Sequence, residues 1–441
     1  MRHVYLDWNA TTPPHPDVLE AMRTAAAVAW ANPASVHGPG RRARAFVEDA
    51  RESVAALVGM DPRDVVLTSG GTEANNLALA LPFAAPRTDA GRDPRADAGK
   101  DPRANAGKDP RANAGKDLRA DAGRDPRANA GKYPRADVGS EGRPAVVVSR
   151  IEHPSIVRMA EELARDGVRV EWIEPDASGV VPAAGFAAAV ARLRADGADV
   201  RLLVLQAVNH ETGVVQPVAE VAAIAHAGGA LLHVDAVQAV GRLPASSWAG
   251  ADMVSVAAHK IRGPKGVGAL CTRPGLKVRP LFFGGAQERG VRPGTQDPVA
   301  SAGFAEAAKR ALATGPARHA EVASLRDRLE AALVALSAEV GLAPAFANGS
   351  APRAPHVTNL SWPGWRGDEL CAALDLEGLA VSSGSACSAG TAEPSPVIRA
   401  MLGVPRATSA VRLSLGEDTT EDDVTRAVEA FRRVLTRVAP R

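Results

Sequence analysis

The chain has 441 residues, of which 46% are apolar, and its 52 Lys and Arg against 50 Asp and Glu give a formal net charge of +2. This balance excludes a basic nucleic-acid binder, an acidic disordered chain and a long coiled coil. The length suits two domains, or one large domain with a smaller partner.

The three cysteines, Cys271, Cys371 and Cys387, lie far apart and form no CxxC pair. This odd number favours a reducing compartment over a disulfide framework. The first residues show no cationic flank followed by an apolar stretch, and no window approaches about 18 uninterrupted apolar residues. We therefore expect a cytoplasmic protein with no membrane partner and no direct nucleic-acid partner.

Short β-branched runs alternate with alanine-rich helical stretches along most of the chain. DVVLTS precedes EANNLALALPF, PAVVVSRIEH precedes PSIVRMAEELARDG, VRLLVLQAV precedes QPVAEVAAIAHAGG, and ALLHVDAV adds a further strand. Such alternation predicts an α/β fold, with a parallel sheet covered by helices on both faces.

One segment, 87–143, departs from this pattern. Five octapeptides such as DPRANAGK recur in it, starting at Asp93, and contain nothing larger than Ala and Leu to bury. Eight residues are too few for a solenoid unit, so we expect a disordered insertion in the large domain. It could serve as a weakly cationic tether for a partner, but a repeat expansion tolerated in a surface loop is the simpler interpretation, because long insertions cost little closure entropy.

The pattern changes after Gly315-Pro316. A leucine-rich stripe at helical spacing follows from Val322 to Leu336, and a charged amphipathic helix is predicted from about Thr420. We expect a large domain over 16–316 and a smaller α+β domain built from 1–15 and 317–441.

Three short stretches carry candidate chemistry. In ADMVSVAAHKIRGPKGVGALC, Lys260 follows a buried strand, where a lysine with a lowered pKa could form a Schiff base. In ALLHVDAVQAVG, Asp235 ends another strand and could face the pyridinium nitrogen of pyridoxal phosphate. Each has an ordinary alternative, because a lysine can extend to solvent from a strand end and an aspartate can cap the next helix.

The third stretch is DVVLTSGGTEANNLALA, a strand, a Gly70-Gly71-Thr72 turn and a helix. Backbone N–H groups at a helix start and a threonine hydroxyl are suited to binding phosphate. A glycine-rich turn is a weak signal by itself. Together with the acid and the lysine it becomes a much stronger one.

Ten motifs in chain order then point to one family. They are YLDWNATTP from Tyr5, NPASVHG from Asn32, TSGGTEANN from Thr68, EHPS from Glu152, ETGVVQP from Glu211, HVDAVQAVG from His233, AHKIRGPKGVGAL from Ala258, RPGTQ from Arg292, SSGSACSAG from Ser382 and RLSLG from Arg412. Outside the repeat, the chain resembles the cysteine desulfurases of the pyridoxal-phosphate class V aminotransferase superfamily. The resemblance implies a type I fold of these transferases, with a mostly parallel seven-stranded sheet and a smaller α+β domain.

The resemblance also implies roles for residues around the cofactor, pyridoxal 5'-phosphate. Lys260 would hold it through a Schiff base, Asp235 would face its ring nitrogen, and Gln238 would hydrogen-bond its phenolic oxygen. His153 would stack on the ring and help with proton transfer, although by itself it could be an ordinary turn histidine.

Further residues are implied to bind the cofactor phosphate or its surroundings. Thr72 and His259 would hold the phosphate, with Gly71 and Asn209 beside the cofactor. Thr295 would reach the phosphate of the neighbouring subunit, which implies a homodimer.

The substrate would be L-cysteine. Arg412 would bind its carboxylate with a planar two-donor fork. Cys387, in a loop of small polar residues, would attack the substrate sulfur and hold it as a persulfide for a sulfur-acceptor protein, leaving alanine. An incidental exposed thiol is the alternative for Cys387, and packing roles are expected for Cys271 and Cys371.

Three positions depart from the family pattern. His210 replaces the second of two asparagines usual before ETG, Ala257 replaces a phosphate-binding serine, and Pro396 follows EPS where a larger polar residue is common. These departures keep open a distant alternative, a non-catalytic scaffold for sulfur-transfer partners. A selenocysteine lyase or related lyase is the nearer alternative, and a metal site is not expected because the histidines show no HxxxH or HExxH spacing.

Overall fold

The computed structural model describes residues 3–83, 142–350, 352–384 and 393–437. Most of the predicted disordered insertion and the whole Cys387 segment 385–392 lie outside these described residues. The expectations for both therefore stay predictions.

Twelve strands are present in the described part of the chain. They are β1 Val4–Tyr5, β2 Val65–Thr68, β3 Pro144–Ser149, β4 Arg169–Ile173, β5 Asp199–Gln206, β6 Leu231–Asp235, β7 Met253–Ala257, β8 Gly268–Thr272, β9 Phe346–Ala347, β10 Val357–Ser361, β11 Leu379–Ala380 and β12 Ala410–Ser414.

Eleven α-helices accompany these strands over the same described ranges. They are α1 Pro16–Val28, α2 Gly38–Val58, α3 Gly71–Ala80, α4 Pro154–Arg165, α5 Ala183–Ala195, α6 Val218–Ala227, α7 Pro298–Glu339, α8 Gly367–Leu376, α9 Pro396–Leu402, α10 Val404–Thr408 and α11 Glu421–Arg437. The amphipathic helix predicted from about Thr420 is α11, which begins one residue later.

The centre of the large unit is a seven-stranded sheet in the order β2-β8-β7-β6-β5-β3-β4. Neighbouring strands are parallel except at β8, which pairs antiparallel with both β2 and β7. Helices cover both faces, so strands such as β3, PAVVVS, are buried along their whole length. The predicted alternation of strands and helices is confirmed.

Parallel pairing brings the strand ends to one edge of the sheet. Gln206 at the end of β5 pairs with Asp235 at the end of β6, and Asp235 pairs with Ser255 in β7. β7 ends at Ala257, three residues before Lys260, and a single 3₁₀ turn over Ala258–Lys260 carries the lysine beyond the strand. Loops at this edge are where ligands bind in open α/β sheets.

A smaller unit forms around a three-stranded antiparallel sheet in the order β12-β10-β9, with the parallel pair β1 and β11 beside it. Its core includes the ring stack of Trp362 on Phe431, whose centroids are 5.0 Å apart. Val4 and Leu6 belong to this core, so the first residues of the chain join the last ones.

Helix α7 connects the two cores without interruption through Gly315-Pro316, where the sequence pattern changes. Phe304 and Ala308 before that point pack in the core of the large unit, whereas Leu329 and Leu333 after it pack in the core of the small unit. The predicted division at 316 therefore falls inside one helix, at the point where its buried side chains pass from the core of the large unit to that of the small unit. The two-domain boundary itself stays a prediction.

Gly416 lies two residues after the end of β12 and allows the backbone there to pass close to the ring of Trp8. A Cβ atom built on Gly416 would lie 1.9 Å from Cδ2 of Trp8, whose ring is fixed by a 3.1 Å hydrogen bond from its Nε1 to the carbonyl of Tyr5. We expect Gly416→Ala to lower the free energy of unfolding by about 1–3 kcal/mol through overpacking. Urea denaturation measures this.

The matched control is Gly38→Ala at the start of α2. A Cβ atom built there would meet nothing closer than Nη1 of Arg42 at 3.9 Å. Equal stabilities of the two variants would contradict the packing of Gly416 on Trp8.

Candidate active site

A cavity of about 180 Å³ opens at the carboxyl edge of the large sheet. It is lined by the strand ends, the start of α3, the N-terminal segment and one arginine of the small unit. The lining residues are Asn9, Ala10, Gly71, Thr72, Asn75, His153, Gln206, Val208, His210, Asp235, Val237, Gln238, Ala257, His259, Lys260 and Arg412.

Asp235 lies at the base of this cavity with both carboxylate oxygens held. Its Oδ1 accepts a 3.0 Å hydrogen bond from the backbone N–H of Val237, and its Oδ2 accepts a 2.8 Å bond from Nδ2 of Asn75. Only 8% of Asp235 is exposed. A fixed, buried carboxylate of this kind is suited to face a cationic ring nitrogen.

Lys260 reaches the cavity from the 3₁₀ turn after β7. Its Nζ donates to the backbone carbonyl oxygens of Asn9 and Ala10, the latter at 3.0 Å. The N-terminal segment therefore receives the amine, and Oγ1 of Thr12 donates in turn to the carbonyl of His259 at 2.8 Å. The side chain of Lys260 is thus directed across the same space that Asp235 borders.

The start of α3 is suited to an anion. Gly70 occupies the N-cap position with φ 153° and has no side chain with which to cap the helix, so the first N–H groups gain no side-chain acceptor there. Gly71 and Thr72 line the cavity, and a Cβ atom on Gly71 would lie 3.0 Å from Cγ2 of Val237. A larger residue at position 71 would therefore narrow the cavity.

His259 lies beside this helix start. Burial, with the charges of Lys260, Lys265 and Arg242, lowers the pKa of His259 to about 4, so its imidazole is neutral near neutral pH. Its Nδ1 lies 3.1 Å from Oγ1 of Thr11. His259 can therefore contribute a hydrogen bond to a phosphate but no charge.

Gln238 and Ala257 both line the cavity, but only Gln238 has a side chain that can form hydrogen bonds. Nε2 of Gln238 donates to the carbonyl of Asn9 at 3.1 Å, and its Oε1 accepts from Nη1 of Arg242 at 3.2 Å. Ala257 is buried, lines the cavity and has no hydroxyl group, so it cannot donate the hydrogen bond to phosphate that a serine at this position would donate.

His153 begins helix α4 as its N-cap. Its Nδ1 accepts a 3.1 Å hydrogen bond from the backbone N–H of Ser155 and lies 2.8 Å from Oγ of the same serine. Burial lowers the pKa of His153, with the charge of Asp235 opposing that shift and the charge of Lys260 adding to it. The ring thus enters the cavity as a neutral imidazole.

Arg412, in β12, is the contribution of the small unit. Its Nη1 donates to the carbonyl of His210 at 3.0 Å, and its Nη2 donates to Oδ1 of Asp7 at 2.7 Å. Its Nε has no hydrogen-bond partner within the described ranges, although only 1% of the residue is exposed. Of the five donors of this guanidinium, three are therefore still available to a carboxylate.

Two predicted site residues with described positions, Asn209 and Thr295, are not among the residues that line the cavity. The amide of Asn209 is used inside its own loop, where Oδ1 accepts from Glu211, Thr212 and the Thr212 hydroxyl and Nδ2 donates to Ile151. Thr295 is exposed in the segment before α7, outside this cavity. Cys387 lies outside the described residues.

Sequence reasoning missed three polar lining residues, Asn75, Gln206 and Asn9. Asn75 lies one helical turn after Gly71 and Thr72, so helical spacing could have placed it on their face. Gln206 ends β5 directly opposite Asp235, which strand register alone reveals. Asn9 is in the YLDWNATTP motif, but no pattern in the sequence shows that its backbone carbonyl receives Lys260.

The donor set of the cavity fits an organic cofactor. Within the described ranges, no group of three His, Cys, Asp or Glu side chains could hold a metal ion. The cavity combines a buried carboxylate, an amine and an uncapped helix start, which fit a ring nitrogen, a carbonyl carbon and a phosphate respectively.

Among the described residues, no helix is long and apolar enough to cross a membrane.

Comparison with known proteins shows the family of the chain. The sequence model of the family named aminotransferase class-V matches residues 4–90 and 135–427. The chain belongs to the class V aminotransferase family. The unmatched stretch, 91–134, falls within the repeat.

The chain is similar to other members of the family over nearly its whole length. It is 31% identical to a cysteine desulfurase of a Nostoc species and 34% identical to one of Enterobacter agglomerans, each over 99% of this chain and 94% of the relative. A solved NifS-like protein is similar with a TM-score of 0.77 and 28% identity, over 99% of this chain and all of that one. The fold predicted from the motifs, that of the type I pyridoxal-phosphate transferases, is confirmed.

Glu152, next to His153, provides a test of cavity electrostatics. Burial, with the charge of Asp235, raises the pKa of Glu152 to about 8, while hydrogen bonds from Gln206 and Ser149 oppose the rise. The folded protein therefore holds a proton that the unfolded chain releases above about pH 4.3. Folding stability should fall as the pH rises through this window, to about pH 8.

We expect Glu152→Gln to remove this fall, because a glutamine cannot ionise. The slopes of unfolding free energy against pH should differ by at most about 1.4 kcal/mol per pH unit in urea titrations of the two proteins. Glu339→Gln, at an exposed ion pair with Arg432, is the control. Equal slopes for wild type and Glu152→Gln would show that the buried carboxyl is ionised.

Proposed function

We propose that this protein is a pyridoxal-phosphate-dependent cysteine desulfurase, which converts L-cysteine to L-alanine and holds the sulfur as a persulfide. The observation that carries the proposal is the convergence of Lys260, Asp235 and Arg412 on one cavity. The relatives named cysteine desulfurase, at 31% and 34% identity over 99% of the chain, support this specificity.

Cofactor binding follows from the lining of the cavity. Lys260 would bind the cofactor covalently, Asp235 would hold its ring nitrogen, and the start of α3 with Thr72 and His259 would hold its phosphate. When bound, the cofactor supplies an electron sink for the bonds of the substrate Cα. The buried carboxylate of Asp235 maintains that property because it favours a protonated ring nitrogen.

The remaining residues orient the substrate and move its protons. Arg412 would bind the substrate carboxylate with the donors that Asp7 and His210 leave unused. Its position is fixed by those two contacts, so the carboxylate would be held in one place. Lys260 reaches across the same cavity, and its amine is suited to accept the Cα proton.

Cys387 is the proposed sulfur acceptor within the chain. Its thiolate would attack the substrate sulfur, so that an S–S bond forms, the substrate Cβ–S bond breaks and the carbon skeleton leaves as alanine after protonation. Burial raises the pKa of the thiols of Cys271 and Cys371 to about 12, which makes both poor nucleophiles. An acceptor protein would then remove the persulfide sulfur.

The decisive test is a single turnover of the cofactor-loaded protein with L-cysteine, followed by mass spectrometry. We expect alanine to form and the peptide containing Cys387 to gain one sulfur. Cys387→Ala should keep the visible absorbance of the bound cofactor and lose catalytic turnover, whereas Cys371→Ala should retain both. Full turnover by Cys387→Ala would overturn the assignment of the nucleophile.

The same experiment separates the alternatives. Alanine release with an unmodified Cys387, and faster release from selenocysteine than from cysteine, would favour the lyase. A protein that binds no cofactor would favour the scaffold, since a scaffold needs neither Lys260 nor Asp235.

We further propose that the protein is a homodimer in which Thr295 reaches the partner's cofactor phosphate. The segment between β8 and α7 carries Thr295 together with Phe282 and Phe283, and 86% of Phe283 is exposed. Trp30 and Val36, between α1 and α2, are also exposed. Large apolar side chains of this kind support a covering subunit.

Phe283→Asp should weaken the dimer, because the apolar burial of about 1.5–3 kcal/mol per subunit would be replaced by a buried charge. Light scattering coupled to size-exclusion chromatography should show a shift toward monomer. Leu376→Asp, an equally exposed position at the end of α8, should leave the mass unchanged. A wild-type monomer at all concentrations would contradict the proposed dimer.

A further inference from the structure

The segment between β8 and α7, residues 273–297, carries Thr295 and contains a single buried residue. All of its residues are described, and Glu288 is the only one of them that is buried, while its neighbour Arg289 is exposed. A carboxylate is seldom buried unless its oxygens find hydrogen-bond donors. The contacts of Glu288 therefore show what this buried charge does for the segment.

Glu288 forms a bidentate ion pair with Arg51 of α2. Nη1 of Arg51 donates to Oε2 of Glu288 at 2.7 Å, and Nη2 donates to Oε1 at 2.9 Å. Only 5% of Arg51 and 4% of Glu288 are exposed. Burial raises the pKa of Glu288, but the hydrogen bonds and the charge of Arg51 outweigh this effect, so that its pKa lies below the usual value. The pair therefore joins the segment to α2 as two charged groups.

Two further donors bind the same carboxylate. The backbone N–H of Leu67 in β2 donates to Oε2 of Glu288 at 2.9 Å, and Nε2 of Gln296 donates to Oε1. Arg51 also donates to the carbonyl of Val65 in β2 at 2.7 Å. Glu288 is thus fixed to α2 and β2, and it fixes Gln296 in turn.

These contacts hold Thr295 from both sides. Gln296, which follows it, is bound to Glu288, and Gly294, which precedes it, donates its backbone N–H to Oε1 of Gln287 at 3.2 Å. Thr295 itself is exposed. Two consecutive residues, Gln287 and Glu288, therefore determine where an exposed hydroxyl group is presented.

The backbone at Glu288 is strained. Glu288 and Arg289 have φ values of 45° and 56°, in the left-handed region that non-glycine residues rarely occupy. Such a conformation persists only where the surroundings hold it, and it concentrates at sites where a functional group must be placed accurately. Here the ion pair with Arg51 and a 2.6 Å bond from Nη2 of Arg289 to the carbonyl of Val65 hold it.

A second link joins the segment to the proposed phosphate-binding turn of its own subunit. Nε of Arg292 donates to Oε1 of Glu73 at 3.0 Å, and Oε2 of Glu73 accepts from the backbone N–H of Ser69 at 2.6 Å. Glu73 lies in the first turn of α3. The segment thus has a fixed position relative to its own cavity, which Thr295 does not line.

We propose that Glu288, held by Arg51, is the positioning residue that fixes Thr295 for the cofactor phosphate of the partner subunit. The ion pair then contributes to cofactor binding in trans, although neither of its residues lines the cavity of its own subunit. This inference rests on the proposed cofactor and homodimer. It goes beyond them because it assigns a role in the partner's site to a buried ion pair outside the cavity.

Mixed dimers of two differently tagged subunits test this role. One subunit carries Lys260→Ala, so that the visible absorbance of lysine-bound cofactor reports only the other subunit during titration with pyridoxal 5'-phosphate. With Glu288→Gln in the Lys260→Ala subunit, the affinity of the other subunit should fall about 10- to 100-fold, as for one lost hydrogen bond to a charged group. With Glu288→Gln in the subunit that keeps Lys260, the affinity should stay close to that of the wild type.

Two variants serve as controls in the same mixed dimers. Glu330→Gln breaks another bidentate ion pair, with Arg353 at 2.7 and 3.0 Å, and should leave the affinity unchanged in both arrangements. Gln296→Ala removes one donor from Glu288 but keeps its pair with Arg51, so it is expected to fold and to weaken binding only in trans. Circular dichroism and light scattering verify that each variant folds and dimerises.

Equal affinity of the two mixed dimers that carry Glu288→Gln would overturn the positioning role. A loss confined to the subunit that carries Glu288→Gln would also overturn it, since Glu288 would then act through β2 on its own cavity. If Glu288→Gln does not fold, Gln296→Ala decides by the same comparison. A wild-type protein that binds the cofactor as a monomer would overturn the proposed dimer and this inference, whereas one that binds no cofactor would overturn the proposed function.

Discussion

The buried carboxylate of Asp235 is the constraint on which the rest of the cavity depends. An isolated ion at the end of a buried strand would be costly, so its oxygens require donors, and Asn75 and the backbone of Val237 provide them. Asn75 in turn holds Ser155, which fixes the ring of His153. One charge thereby sets the position of α3 and α4 relative to β6.

The N-terminal segment completes the cavity because it connects both cores. Asn9 accepts from Lys260 and Gln238 through its carbonyl, donates to the carbonyl of His210, and meets Nε2 of His356 through Oδ1. Each of these partners comes from a different part of the chain. The cavity therefore forms only when the first residues have docked between the large and the small unit.

Much of this architecture could be predicted from the sequence, because its causes are local. The alternation of strands and helices, the glycine turn before α3 and the amphipathic α11 all follow from neighbouring residues. The hydrogen bonds of His153 and His210 could not be predicted in this way. Nδ1 of His153 accepts from the backbone N–H of Ser155, and Nδ1 of His210 faces an amide of Gln206 whose orientation is set by the carbonyl of Ile151. Likewise, nothing near Asn209 in sequence shows that its amide is used within its own turn, which leaves the cavity to His210.

The continuity of α7 has a mechanical consequence. Its 42 residues form a rod of about 63 Å, and the two halves are buried in different cores. Bending is easiest near Pro316, which lacks the N–H of a regular helical residue, while Gly315 lies tightly against the backbone of Gly241. A change of angle between the units would therefore be a rotation about that contact, and it would move Arg412 relative to the sheet edge.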